Sequence, residues 1–333
     1  SAGITTVTNG SLAVNVSGAA SVAEINAING DSATGIVTAT ANTGDAVILA
    51  GLTTTGTDEI AITLANVSTT AANLNTINGK TNVAVNANAI SELTGNATDI
   101  ISAYTANTAG TITGLGTKAV IVDNTASAGN VNTIANATSG VVTATITSGA
   151  VSSTLAAITN VNTSDVITFT TTDTSVDASD LVALAAKVDT FTTSSIANIT
   201  EDAANVGSVN TALTTSGLLD GNENVSINGA ISVVDINTLN GNTTGVITAV
   251  ATQTDAASLI TLTTTNTDMI TVNMAASSTS AGDLNTIDGK TGVAVNATSI
   301  SQLTGTATDI TAALSSAGIT TVTNGSLAVN VSG

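Results

Sequence analysis

The chain has 333 residues, 23 acidic and four basic side chains, a net charge of −19, and no Cys, His, Pro, Trp or Arg. Four lysines cannot neutralise a phosphate backbone, which excludes nucleic acid as a partner, and the absence of Cys excludes disulfides and thiolate metal sites. With 42% apolar but only 1% aromatic residues, the sequence predicts a thin interior of Ala, Val, Ile and Leu drawn out along an axis, not a deep core on aromatic anchors.

Taken in chain order, the first signal is SVAEINAI from Ser21. A polar residue, two spacers and an acidic residue precede an apolar pattern, which predicts a capped helix. GIVTATA (Gly35–Ala41) and EIAITLA (Glu59–Ala65) alternate with a period of two and predict strands of about five residues. The helix signal returns as TAANLNTI from Thr70, with Asn78-Gly79 predicted to supply a left-handed stop after one or two turns. NVAVNAN (Asn82–Asn88) predicts a strand with Val83 and Val85 on one face and Ala84 and Asn86 on the other, and KAVIVDN (Lys118–Asn124) predicts the next. Further helix starts fall at Ser127, Asp177, Ser232 and Ser280.

These signals repeat. TGIVTA, SGVVTA and TGVITA place Gly35, Gly140 and Gly245 at intervals of 105 residues, and residues 1–18, SAGITTVTNGSLAVNVSG, return letter for letter at 316–333, three intervals later. LNTINGKTNVAVNA from Leu74 returns as LNTIDGKTGVAVNA from Leu284. The organisation read from this is the end of a preceding unit over 1–18, then units over 19–123, 124–228 and 229–333, the second divergent: LVALAAKVDTF from Leu181 keeps the apolar spacing and loses the Asn. Strand markers at Ile36, Ile60, Val83, Val120 and Val141 lie 24, 23, 37 and 21 residues apart, so each unit holds about four strand-and-short-helix modules, one carrying an insertion around Ile90 to Thr117. A strand, a short helix and a following strand make a parallel connection. The predicted fold class is a repeat solenoid, α/β or β: a ladder of parallel strands with short helices or turns on the opposite side, rising about 4.8 Å per turn.

Few side chains suggest chemistry. Asn26, Asn75, Asn132, Asn237 and Asn285 recur in one pattern and are read as structural, each amide bonding loop backbone. Asp58 and Asp268 share a repeat position read as just before a strand, as do Asp99 and Asp309. They are the Ca²⁺ candidates, although no D-x-[DN]-x-[DN]-G loop accompanies them and Asp in "TDI" also suits a helix N-cap. Without His, Cys or Arg the usual base, thiolate and anion clamp are missing, so the reading is a non-enzyme without a required cofactor. No apolar run approaches the length of a membrane span. Phe169 and Phe191 in the divergent unit are the only hint of an adhesive patch.

LNTINGKT…VAVNA…ISELTGNATDI and its partner LNTIDGKT…VAVNA…ISQLTGTATDI resemble the giant Thr/Ala/Asn-rich repeat proteins of cyanobacterial cell surfaces. AANLNTING is also similar to phrases of phage tail-fibre repeats. The resemblance implies extracellular display and transfers no site residues. The expectation is a structural segment of a long extracellular filament or cell-surface fibre, its partners being copies of itself or further repeats of the same long chain. The alternative is the stalk of an adhesin or tail fibre contacting a carbohydrate or a cell surface.

Overall fold

A computed structural model of the chain describes residues 12–32, 35–321 and 327–332. The fold is α/β, with several parallel sheets and short helices and, among the described residues, no closed barrel. Contacts divide the chain into two compact units, one of residues 1–148, 156–170 and 187–190, the other of 149–155, 171–186 and 191–333.

In the first unit the strand Val14–Ala20 pairs in parallel with Val37–Ala41, and that with Glu59–Ala61. A second sheet runs Ser68–Thr70, Glu92–Gly95, Ala119–Val122, Val142–Thr145, Val166–Thr170, all parallel. Val85–Asn86 pairs with Ile112–Thr113 beside it. The second unit repeats the plan. Its main sheet runs Ser175–Asp177, Asn198–Asp202, Asn224–Ile231, Ile247–Ala251, Met269–Thr271. A further sheet runs Ser278–Ser280, Gln302–Gly305, Ala328–Val331, and Val295–Asn296 pairs with Ile319–Thr320. In each parallel pair the two strands lie 20 to 27 residues apart in the chain, as Thr38 meets Glu59 and Glu92 meets Ala119.

All six predicted helix starts are N-caps. Ser21 and Glu24 form a reciprocal capping box at the head of helix Val22–Ser32. Thr70, Ser127, Ser232 and Ser280 each accept the N–H three residues on, and Asp177 accepts those of Ser179 and Asp180. The apolar stripe is the same in all three sequence units: Ala71, Leu74 and Ile77; Ala178, Leu181 and Leu184; Ala281, Leu284 and Ile287 are buried at i, i+3 and i+6.

Several local expectations need correction. The helices run two to three turns, because Asn-Gly does not stop them by a left-handed step. Asn29-Gly30 lies inside Val22–Ser32, where the Asn29 amide is held by Thr53 O, and Asn240-Gly241 inside Val233–Asn242, where Asn240 is held by Thr263 O. Gly79 and Gly289 end their helices at φ −73° and −69°. Val83 and Val85 do not share a buried strand face: the strand is only Val85–Asn86, and Val83 is exposed while Val85 is buried. Ile36 and Val141 likewise stand outside their strands and half exposed, one residue before the buried Val37 and Val142. Asp99 and Asp309 precede no strand. They lie in the first turn of helices Ala97–Thr108 and Ala307–Ser315, capped by Asn96 and Thr306. The insertion around Ile90 to Thr117 contains the strand Glu92–Gly95, the helix Ala97–Thr108 and the strand Ile112–Thr113.

Candidate functional site

The polar side chains that recur with the repeat are spent on backbone groups about 21 to 28 residues away in the chain. The Asn26 amide donates to Gly51 O at 2.9 Å and accepts from Thr53 N at 2.8 Å. Asn237 does the same with Thr261 O and Thr263 N, both at 2.8 Å. Asn132 accepts from Asn160 N at 2.6 Å, while Asn75 and Asn285 donate to Asp99 O and Asp309 O at 2.9 and 3.0 Å. In every case the amide of one helix fixes the backbone 24 to 28 residues on.

Asp58 and Asp268 are buried, and each carboxylate closes a loop. Asp58 accepts Thr55 N at 2.7 Å with one oxygen and reaches back to Val37 N at 2.9 Å with the other. Asp268 accepts Thr265 N and Ile247 N, both at 2.9 Å. The chain carries a third such group that sequence reasoning missed: buried Asp165 accepts Asn162 N at 3.0 Å and Val142 N at 2.9 Å. The signal was present, since Asp165 precedes a strand as Asp58 and Asp268 do, but unit divergence shifts it off the 105-residue register. Asp99 and Asp309 each take a bond from their own cap, Asn96 Nδ2 and Thr306 Oγ1, at 2.7 Å. Among the described residues no three acidic side chains gather into a group that could hold a metal ion.

Two further devices escaped the sequence reading. Thr81 Oγ1 accepts Ile60 N at 2.9 Å and donates to Ile60 O at 2.8 Å, acting as a ladder residue with its side chain; Thr291 does so with Ile270. The glycines that mark the period have no space for a side chain. A Cβ on Gly35, Gly140 or Gly245 would lie 1.9, 2.2 and 2.2 Å from the carbonyl oxygens of Leu12, Lys118 and Glu223.

The second unit holds the main departures from this pattern. Buried Glu201 accepts Ser179 N at 2.9 Å, the Ser179 hydroxyl and Asp202 N at 2.9 Å. Burial pushes its carboxyl upward, but these bonds and that from Asn205 outweigh it and hold the group below the ordinary carboxylate range. Nearby Asp180 moves the other way, raised by burial and then by the charges of Asp177 and Glu201. In the same unit a cleft of about 320 Å³ is lined by half-buried Phe191 with Thr193, Leu218, Leu219 and Asp220. Phe169, in the first unit, is fully buried.

No family model, curated protein or solved structure matches the chain. Among the described residues no helix is long and apolar enough to cross a membrane.

Proposed function

We propose that the chain is a non-catalytic structural segment of a long extracellular filament or cell-surface fibre, built as a solenoid of tandem repeats. The observation that carries this reading is the spacing of the parallel pairings. Strand after strand finds its partner 20 to 27 residues along, and the Asn amides, Asp carboxylates and period glycines each meet backbone about the same distance along the chain, 21 to 28 residues away. Such turns are held by their neighbours, and length is added by adding units. The net charge of −19 keeps neighbouring threads apart until cations screen it. Scarce lysine and absent arginine leave few sites for trypsin-like proteases outside a cell.

X-ray diffraction from oriented, concentrated protein tests this. The expected result is a reflection near 4.8 Å along the fibre axis, the strand spacing of turns stacked along that axis. Oriented material with the 4.8 Å spacing perpendicular to the axis, or none, refutes it. The second reading, an adhesin stalk contacting a carbohydrate, is favoured by one observation, the cleft that Phe191 and Asp220 line. An aromatic face beside hydrogen-bonding groups is what stacking on a sugar ring needs. Quenching or shift of the aromatic resonances of Phe191 by a panel of polysaccharides would support it, and unchanged spectra across the panel would remove it.

A further inference from the structure

The cleft beside Phe191 lies where the other two sequence units are closed by a pair of strands. There Val85–Asn86 pairs with Ile112–Thr113, and Val295–Asn296 with Ile319–Thr320. Val85 N and Ala87 N donate to Thr111 O and Thr113 O, both at 2.9 Å. Val295 N and Ala297 N donate to Gly318 O and Thr320 O at 2.8 and 2.9 Å. A turn common to all three units brings the divergent one into register: Ile90 N, Ile196 N and Ile300 N donate to Ala87 O, Thr193 O and Ala297 O. Two residues earlier, Phe191 holds the place of Val85 and Val295. On the facing segment Leu218 N donates to Thr215 O as Ile319 N does to Ser316 O, so Leu218 and Leu219 hold the places of Ile319 and Thr320. Leu218 and Leu219 form no strand. The Thr193 hydroxyl donates to Leu218 O, and these residues line the cleft of about 320 Å³.

The residues that depart from the repeat also give the cleft its chemistry. Phe191 is half-buried where Val85 and Val295 are fully buried, and Leu218 and Leu219 add apolar surface beside it. Ser194 and Asp220, both exposed, contribute a hydroxyl and a carboxylate. The loop that carries Asp220 is fixed in place. Buried Glu223 accepts Asp220 N at 3.0 Å and Gly221 N at 3.1 Å, and Asp220 accepts Asn222 N at 3.3 Å and Asn222 Nδ2 at 3.1 Å. Each Asp220 oxygen keeps a second lone pair for a further donor. A pyranose ring is the complement of this lining, with a C–H face that packs on an aromatic ring and hydroxyls that donate to a carboxylate. The volume stands at the small end of ligand sites, about 300–1,000 Å³, which suits a short stretch of glycan. Charge narrows the class. Asp220 and Glu223 line the cleft, no cationic side chain does, and the chain carries −19 overall, so uronic acids and sulfated sugars are repelled.

We propose that this cleft binds a neutral hexopyranose unit of a glycan, its ring stacked on Phe191 and its hydroxyls donating to Asp220. The inference rests on the adhesin reading and deepens it, naming the sugar class and assigning the contact to the divergent unit. The corresponding places in the other two units are closed by their strand pairs and take no sugar.

Amide chemical-shift titration of the whole chain tests it, with neutral gluco-, manno- and galacto-oligosaccharides and with oligogalacturonate as probes. At least one neutral oligosaccharide is expected to shift the amides of Ser194, Leu219 and Asp220 saturably, and oligogalacturonate to leave them in place. Phe191→Val, which takes the residue type of Val85 and Val295, is expected to weaken binding by about tenfold or more. Asp220→Asn, at an exposed position, is expected to weaken it by about fivefold or more. Saturable binding that neither variant changes overturns the proposal while the adhesin reading stands, because the glycan then sits elsewhere. Binding of oligogalacturonate in preference to the neutral sugars overturns the assigned class and likewise spares that reading. No shift with any neutral oligosaccharide also overturns the proposal, and the polysaccharide panel then decides whether the adhesin reading falls with it.

Discussion

Gly140→Ala isolates the contact between two paired backbone segments, Gly140 and Lys118–Ala119. Gly140 is not among the positive-φ glycines, so alanine meets no backbone penalty of its own. The obstacle is the neighbouring turn: the new Cβ would lie 2.2 Å from Lys118 O, 2.4 Å from Lys118 C and 2.7 Å from Ala119 N. Reaching ordinary contact requires the two backbones to separate by more than about 1 Å, which is overpacking strain of about 1–3 kcal/mol. That movement also pulls on Thr138 Oγ1 to Lys118 O at 2.7 Å and Ser139 N to Gly116 O at 2.9 Å, each worth about 1 kcal/mol. The expected loss is about 3 kcal/mol, concentrated at this junction. Because repeat arrays depart from two-state unfolding, hydrogen exchange is the better assay, and the amides of Val120 and Val142 are expected to exchange on the order of 100-fold faster. Gly129→Ala is the control. Gly129 lies in helix Ala128–Ala137 with nothing within 4 Å of its Cβ position, and the change is expected to stabilise by about 0.5–1 kcal/mol. Wild-type exchange at Val120 and Val142 in Gly140→Ala would refute the close stacking of these turns.

Asn237→Ala removes the bonds to Thr261 O and Thr263 N. It is expected to cost about 1–2 kcal/mol, read as faster exchange of the Thr263 amide, with Asn237→Asp intermediate. Thr69→Val is expected to stabilise by about 1 kcal/mol in thermal unfolding, since Thr69 Oγ1 is buried without a partner and Val176 holds the corresponding place in the second unit. Asp180→Asn and Glu201→Gln are expected to act in opposite directions on a pH–stability curve. The Asp180 carboxyl is raised in the folded chain, so stability falls as pH climbs from about 3.9 through its folded value; Asp180→Asn is therefore more stable at neutral pH and unchanged in acid. The Glu201 carboxyl is lowered, so its contribution is full above about pH 4.3 and lost as pH falls through the folded value; Glu201→Gln is therefore less stable at neutral pH, with the deficit closing in acid.

Helix starts were legible because capping is local: Ser21, Thr70, Ser127, Asp177, Ser232 and Ser280 announce themselves within four residues. Strand existence was legible from alternation, and parallel pairing from the period. Strand edges were not, because where pairing begins is decided by the turn alongside. Ile36, Val83 and Val141 fit the alternation as well as Val37, Val85 and Val142, yet the latter are the buried ones. Short helices such as Ala46–Leu49 and Ala256–Leu259 also went unread. Asp45 and Asp255 cap them, but a single turn leaves no apolar period to detect. The turn-to-turn roles of Thr81 and Gly140 depend on atoms about 20 residues away, and no window of sequence displays them.

What keeps the register while side chains drift is visible in the divergent sequence unit, residues 124–228. A one-residue slip in any ladder would turn every buried Val outward, and the strands alone, short and rich in Thr and Ala, specify against it weakly. The clamps fix it, and they prove interchangeable. Ile60 N and Ile270 N are held by the hydroxyls of Thr81 and Thr291, whereas the corresponding Ile167 N is held by the carboxylate of Asp189 at 3.0 Å. Where Asn75 and Asn285 reach to the next helix, the second unit has Val182. Its tie over that interval is made the other way round, by Glu201 reaching back to Ser179, and Glu201 stands in the register position of Gly95 and Gly305. At each of these places a polar side chain ties one segment to a backbone group about 20 to 28 residues along the chain, whether hydroxyl, amide or carboxylate supplies it. A unit could diverge in sequence as far as the second has and still keep its ladders in phase.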